Sequence, residues 1–159
     1  MSKARIHIVT DGQDPLLDQV PPLFDDLHAS MSGHGMHATL APDGARIWTE
    51  GVRRGVERFG RLVLAEQDGV VVGFTYGVVK LAPDYLGGAL LGHWTHLYVV
   101  PDQRRSGVAQ ALTTALHDWF DRKGVKATEC EVVHENLLSQ RFVRSLGYRP
   151  ELFRFRRPA

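Results

Sequence analysis

Leu97-Tyr-Val-Val-Pro-Asp-Gln-Arg-Arg-Ser-Gly-Val-Ala-Gln-Ala-Leu-Thr-Thr-Ala-Leu-His-Asp-Trp-Phe120 is the stretch whose reading decides the fold. It opens with β-branched and aromatic residues and is stopped by Pro101-Asp102. It resumes after Gly107 with Val108, Leu112, Ala115, Leu116, Trp119 and Phe120 at helical spacing. The pattern predicts strand, tight turn, helix. Arg104 and Arg105 stand in the turn, followed by Ser106, Gly107, Val108 and Ala109. Free N–H groups at a helix start, a favourable dipole and two guanidinium forks make a receptor for phosphate. Gly107 and the small Ala109 let such an anion approach the main chain closely.

The rest of the chain bounds what this element serves. With 159 residues it fits one domain, 1–159, and folding buries roughly 70% of the surface an unfolded chain of that size exposes. Apolar residues make up 43%, charged residues 23%, and the net charge is +1, which argues against disorder and against a nucleic-acid binder. The single cysteine, Cys130, excludes an intrachain disulfide and a multi-cysteine metal site, and reads as a small core residue. No amino-terminal apolar run or long apolar span is present, so a soluble, cytoplasmic protein with no membrane partner is expected.

In chain order, Arg5 to Thr10 reads as a first strand. Asp14 is a candidate cap with Pro15 at the first helical position, and Leu16, Leu17, Val20, Leu23, Phe24 and Leu27 follow at helical spacing. Pro21-Pro22 interrupts that pattern: either the helix kinks there or a second one begins. Ser30 to Ala41 reads as a loop whose His34 and His37 lack a carboxylate to complete a metal site. Asp43 to Phe59 is predicted helical, with Arg53, Arg54 and Arg58 on a solvated face. Arg61 to Glu66 and Val70 to Val79, joined through Gln67-Asp68-Gly69, form a hairpin, with Gly73 and Gly77 marking a bulge or a close backbone neighbour. A loop at Ala82 to Gly88 and a strand from Ala89 to Val100 lead into the central turn. Beyond it lie a strand from Ala127 to Val133, a short helix from Leu137 to Leu146 and a half-buried edge strand from Tyr148 to Arg157.

The spacing Arg104-x-x-Gly107-x-Ala109 after a strand resembles the pyrophosphate loop of the Gcn5-related N-acetyltransferases (GNAT). A second signature follows in the right order: a strand, Asn136, Ser139, Phe142, then Leu146-Gly147-Tyr148. Together they extend the resemblance from Arg5 to Phe155. It implies an α/β GNAT fold: a central mixed sheet of six or seven strands, the fourth and fifth splayed apart, with about four flanking helices. It further implies acetyl-CoA as acyl donor and no metal. Peptide groups at Leu97 and Val99 would pair with pantetheine, and main-chain N–H groups of residues 104 to 109, including Ser106 and Val108, would wrap the diphosphate. Asn136 would hold the pantetheine, cap the following helix, or do both. In this family the loop at Ser30 to Ala41 borders the acceptor pocket.

Family chemistry is direct transfer of the acyl group to an amine, which needs a base for the ammonium and benefits from an acid for the thiolate. Strand alternation places His93, Thr95, Leu97 and Val99 on one face and Trp94, His96 and Tyr98 on the other. His93 lies where several family members keep a base and His96 where many amine-modifying members have an acid; either could instead be a hydrogen-bonded histidine of the sheet, and His134, at the end of the fifth strand, is the next candidate. An imidazole ordinarily titrates near about 6.5, within reach of neutral pH. The family's usual acid, a tyrosine, corresponds here to Val143, so either Ser139, His134 or water substitutes, or the thiolate leaves without enzymatic protonation. The expected activity is acetyl transfer to a primary amine of a small molecule or a protein. The alternative is a non-catalytic acyl-CoA-binding module, motivated by Val143. Nucleic acid is not an expected partner, and the chain is expected to be a monomer or a homodimer.

Overall fold

The computed structural model describes residues 2–159. β1 (Arg5–Val9) is followed by a single 3-10 turn, Pro15–Gln19, capped as expected by Asp14, whose Oδ1 accepts from the Leu16 N–H at 3.0 Å. Helix α1 (Val20–Gly33) begins after that turn, so Pro21 and Pro22 lie in its first turn, where no intrahelical donor is missed. The two prolines therefore start a helix rather than kink one. α1 also runs four residues into the expected loop, which leaves residues 34–43 as the connection to α2 (Gly44–Gly55). α2 stops four residues earlier than the sequence suggests, because Val56 turns to an extended conformation and Glu57 to a left-handed one.

β2 (Gly60–Gln67) and β3 (Val70–Leu81) form the expected hairpin. Its two turn residues, Asp68 and Gly69, both have positive φ, the conformation that Asp-Gly adopts most readily. β4 (Leu90–Val99) pairs antiparallel with β3, and after α3 (Val108–Lys123) the chain enters β5 (Ala127–Cys130), parallel to β4. α4 (Leu137–Ser145) follows. The sheet has the order β1-β2-β3-β4-β5, with α1 and α2 on one face and α3 on the other.

Two cores result. Leu17, Val20, Leu23, Phe24 and Val52 pack on Leu62, Leu64, Phe74 and Tyr98 of the sheet. On the far face Val108 and Leu112 meet Val63, Ala65, Val72 and Val99, while Leu116, Trp119 and Phe120 surround Trp94. Burying side chains of this size contributes about 1.5–3 kcal/mol each.

The mixed α/β architecture and four helices are those expected, but the described residues contain five strands rather than six or seven. Tyr148 to Arg157 forms no strand: Leu152, Phe153 and Phe155 are 88%, 71% and 92% exposed, and Arg154 reaches Glu131 at 3.0 Å. Alternation alone cannot make a strand without a ladder to join, and β5 ends at Cys130, three residues short of the expected Val133.

A bulge in β4 explains that early end. Tyr76 pairs with His96 but Gly77 pairs with Trp94, so Thr95 is an extra residue opposite β3. A bulge bends and twists its strand, and the parallel ladder to β5 stops at the Trp94–Cys130 pair beside it. The extra residue also reverses the alternation. Gly92 and Trp94 face α3, as do Leu97 and Val99, whereas His96 and Tyr98 face α1 and α2. The expected grouping of His93 with Leu97 and Val99 is therefore wrong: His93 shares its face with His96. Among the described residues no helix is long and apolar enough to cross a membrane.

Candidate active site

Beyond the bulge, β4 runs on from Thr95 to Val99 with no ladder on its β5 side. The Val100 N–H donates to Val72 O at 2.9 Å, and antiparallel pairing alternates, so the peptide groups of Leu97 and Val99 point away from β3 into the gap. One of them is partly engaged: Arg104 Nε donates to Val99 O at 3.0 Å, with the guanidinium 5.7 Å from the Tyr98 ring centroid. Arg104 thereby ties the turn back to the strand it leaves.

The turn is built from a 3-10 segment, Pro101–Gln103, and two left-handed residues, Arg105 at φ 60° and Gly107 at φ 87°. Ser106 Oγ donates to Gln103 O at 2.5 Å and closes it. α3 starts at Val108, and its first intrahelical bond is from Ala111 N–H to Gly107 O at 3.0 Å. The N–H groups of Val108, Ala109 and Gln110 consequently have no acceptor within the helix, at the positive end of a 16-residue dipole.

A cavity of about 290 Å³ opens over this helix start, lined by Val99, Arg104, Arg105, Gly107, Ala109, Gln110 and Phe142. Six of the residues singled out in the sequence thus share one hollow. Ser106 and Val108 line a second hollow of about 230 Å³ behind the turn, with Gln67 and Gln103. Asn136 caps α4, accepting from the Ser139 N–H at 3.1 Å, which accounts for both residues locally. His134 is not at a strand end: β5 stops four residues before it, and its exposed ring lies 6.4 Å from Phe153. Beside it, Glu135 approaches Gly35, so the α1–α2 connection and the β5–α4 connection meet.

The opposite face of β4 carries an aromatic and imidazole cluster. The His96 ring centroid lies 5.1 Å from Phe24, 5.0 Å from Trp48 and 6.5 Å from His28; Trp48 stands edge-on to Tyr76 at 5.4 Å. Burial, with His28 and His93 adding unfavourable charge, pushes the His96 imidazole down to about 4. Burial also lowers His28 and raises the Tyr76 phenol. Both histidine shifts favour the neutral imidazoles. His28 went unremarked in the sequence, although it stands four residues after Phe24 on the buried stripe of α1.

Beneath the gap on the α3 side, Val143 is packed with Phe142, Leu146 and Tyr148 against Trp94, Leu116 and Phe120, so no acid stands at that position. The Tyr148 hydroxyl lies 2.6 Å from His117 Nε2. Cys130, partly buried in the same cluster, has its thiol pushed up to about 11 by burial, as a packing residue would. Among the described residues no three His, Cys, Asp or Glu side chains are grouped to hold a metal, and His34 and His37 belong to no such group.

No curated protein matches the chain. Among solved structures, the aminoglycoside N-acetyltransferase AAC(6')-Iy in complex with a bisubstrate analogue, CoA-S-monomethyl-acetylneamine, superposes with a TM-score of 0.75 at 20% identity, covering 99% of this chain and 100% of that one. A protein of Bacillus halodurans superposes with a TM-score of 0.80 at 15% identity, covering 98% and 99%. The ribosomal-protein-alanine N-acetyltransferase of Brucella melitensis biovar Abortus 2308 does so with 0.67 at 19%, covering 99% and 100%. These likenesses establish a shared fold. The model of the acetyltransferase (GNAT) family matches residues 24–148, from the first core helix through the broken β4–β5 ladder to the end of α4, and on that ground the chain belongs to this family.

Proposed function

We propose that the protein transfers an acetyl group from acetyl-CoA to a primary amine of a small molecule or a protein. The observation that carries this reading is the break in the parallel ladder after Trp94 and Cys130, next to a helix start whose N–H groups are free. The residues present fit the donor. The N–H groups from Ser106 to Ala109, with Arg105 and the uncommitted nitrogens of Arg104, suit a diphosphate. The outward peptides of Leu97 and Val99 suit the amides of a pantetheine arm, with Asn136 and Ser139 on the β5 side. When bound, acetyl-CoA supplies the activated acyl group; this chain supplies orientation and proton management.

His93 is assigned the role of base, direct or through water, because the bulge turns it to the face that carries the imidazole cluster. His134 is the second candidate. The solved relatives include enzymes named for an aminoglycoside and for a ribosomal protein, so the fold accommodates both kinds of acceptor without choosing between them. A second reading has its own support: the partly buried Val143 packs against the Trp94 cluster and cannot donate a proton, which fits a module that binds acyl-CoA without transfer. Thiol release from acetyl-CoA across a panel of primary amines separates the two. Turnover on any amine supports transfer, and tight coenzyme A binding with no turnover supports the module.

A further inference from the structure

The bulged residue Thr95 has one hydroxyl proton and two neighbours. Its Oγ1 lies 3.1 Å from Tyr76 O and 2.8 Å from His96 Nδ1. If the proton goes to the Tyr76 carbonyl, Oγ1 keeps a lone pair for an Nδ1–H, and both contacts are hydrogen bonds. The reverse assignment leaves two oxygens 3.1 Å apart with no proton between them. The strand around Thr95 is fixed independently: Thr75 Oγ1 donates to His96 O at 2.8 Å and accepts from Trp94 Nε1 at 2.8 Å. The bulge is thus pinned on both faces of the sheet, and Thr95 is held where it can read one nitrogen of His96.

From this geometry, and resting on the transfer reading above, we infer that Thr95 is a positioning residue. It keeps the His96 proton on Nδ1, so that Nε2 offers a lone pair to the acceptor amine, within a pocket suited to an amine carried on a flat apolar body. Three observations support the pocket. Nε2 makes no hydrogen bond to the described residues. Across a 6.5 Å ring separation, His28 holds a buried Nδ1 that has no partner, a deficit that a polar ligand or water must explain. The surrounding rings are the partly buried Trp48 and Tyr76, with Trp48 stacked on the buried Phe24, and this aromatic lining suits an aromatic body and one nearby cation. Asp25, beside His28 on α1, is a carboxylate whose charge reaches the His28 imidazole. Each further ammonium of a polyamine would be desolvated here without a partner, which disfavours its entry.

The test begins with nitrogen NMR of the labelled free protein, which needs no turnover. The expected spectrum shows His96 protonated on Nδ1 in the native protein and in Thr95→Ser, and a mixture of tautomers in Thr95→Val. A native spectrum with the proton on Nε2 overturns the inference whatever the protein acetylates. The pocket is tested by adding benzylamine or spermidine to the protein saturated with coenzyme A. Benzylamine is expected to shift the His28 and His96 ring signals at concentrations about tenfold lower than spermidine, and equal or reversed sensitivity overturns the selectivity. In turnover, Thr95→Val is expected to lose about tenfold or more in kcat/KM for benzylamine with the KM for acetyl-CoA unchanged, and Thr95→Ser to restore it. A Thr95→Val enzyme as active as the native one overturns the positioning role. If no amine in the panel is acetylated, the transfer reading fails by itself, and the spectra still decide the tautomer and the pocket.

Discussion

The ring of Phe120 occupies the space directly above Gly92: a Cβ at residue 92 would lie 2.8 Å from its Cδ1, and one at Gly77 2.6 Å from its Cζ. Phe120 is fully buried and packed with Trp94, Leu116 and Trp119. Gly92→Ala is therefore expected to destabilise the fold by about 1–3 kcal/mol, read as a lower denaturant midpoint. Phe120→Leu in the same chain should recover part of that loss, whereas additive losses would show that the two residues are not in conflict.

Arg53 is not the solvated residue that its neighbours suggest. Its Nη1 donates to Gly12 O at 2.7 Å and its Nη2 meets Asp18 Oδ1 at 2.5 Å, so it staples α2 to the segment after β1. Arg53→Ala should cost about 1–3 kcal/mol in thermal or denaturant unfolding, and Arg54→Ala, on the exposed side, less than about 0.5. Equal effects would mean that the staple contributes nothing.

The anion receptor depends on backbone shape as much as on charge. Gly107 has φ 87° with open space around its missing Cβ, so Gly107→Val meets backbone strain and no clash. Calorimetry with coenzyme A should show affinity reduced by about tenfold or more for Gly107→Val, and by a similar factor for Arg105→Ala. Unchanged affinity in both variants would move the diphosphate elsewhere.

His93→Ala should lower turnover by about a hundredfold while leaving coenzyme A affinity as it was. A variant that turns over at the native rate would remove His93 from proton transfer and bring His134 forward.

Acid should weaken the fold through His96. Its imidazole is held near about 4 by burial, against an ordinary value of 6.5, so between those limits the unfolded chain binds the extra proton. Stability from this group is whole above pH about 6.5, falls as the pH drops, and is lost below about 4, a total of about 3 kcal/mol. His96→Phe should flatten the unfolding free energy across that window. A slope unchanged from the native protein would show that His96 protonates freely in the fold.

Much of this was legible in the chain itself. Val99-Val100-Pro101 could only end a strand, and Gly107 followed by apolar residues at helical spacing could only open a helix. Asp68-Gly69 marked its hairpin, and Gly73 and Gly77 announced the close neighbours that the structure supplies in Tyr98 O and Phe120. Two of the errors have a common origin. Thr95 is a good strand residue with nothing local to mark it as a bulge, so strict alternation put His93 on the wrong face, and the predicted strand overran Cys130.

Local sequence determined where the chain turns and which groups surround the helix start, because glycine, proline and side-chain periodicity act within a few residues. Tertiary structure alone decided where the β4–β5 ladder breaks, which imidazoles share a face and which arginine is a staple. The first two depend on α3 packing against Gly92 and Trp94 on one side of the bulge and against Leu97 and Val99 on the other, and the third on Gly12 and Asp18 lying against α2. No stretch of sequence contains both sides of such a contact.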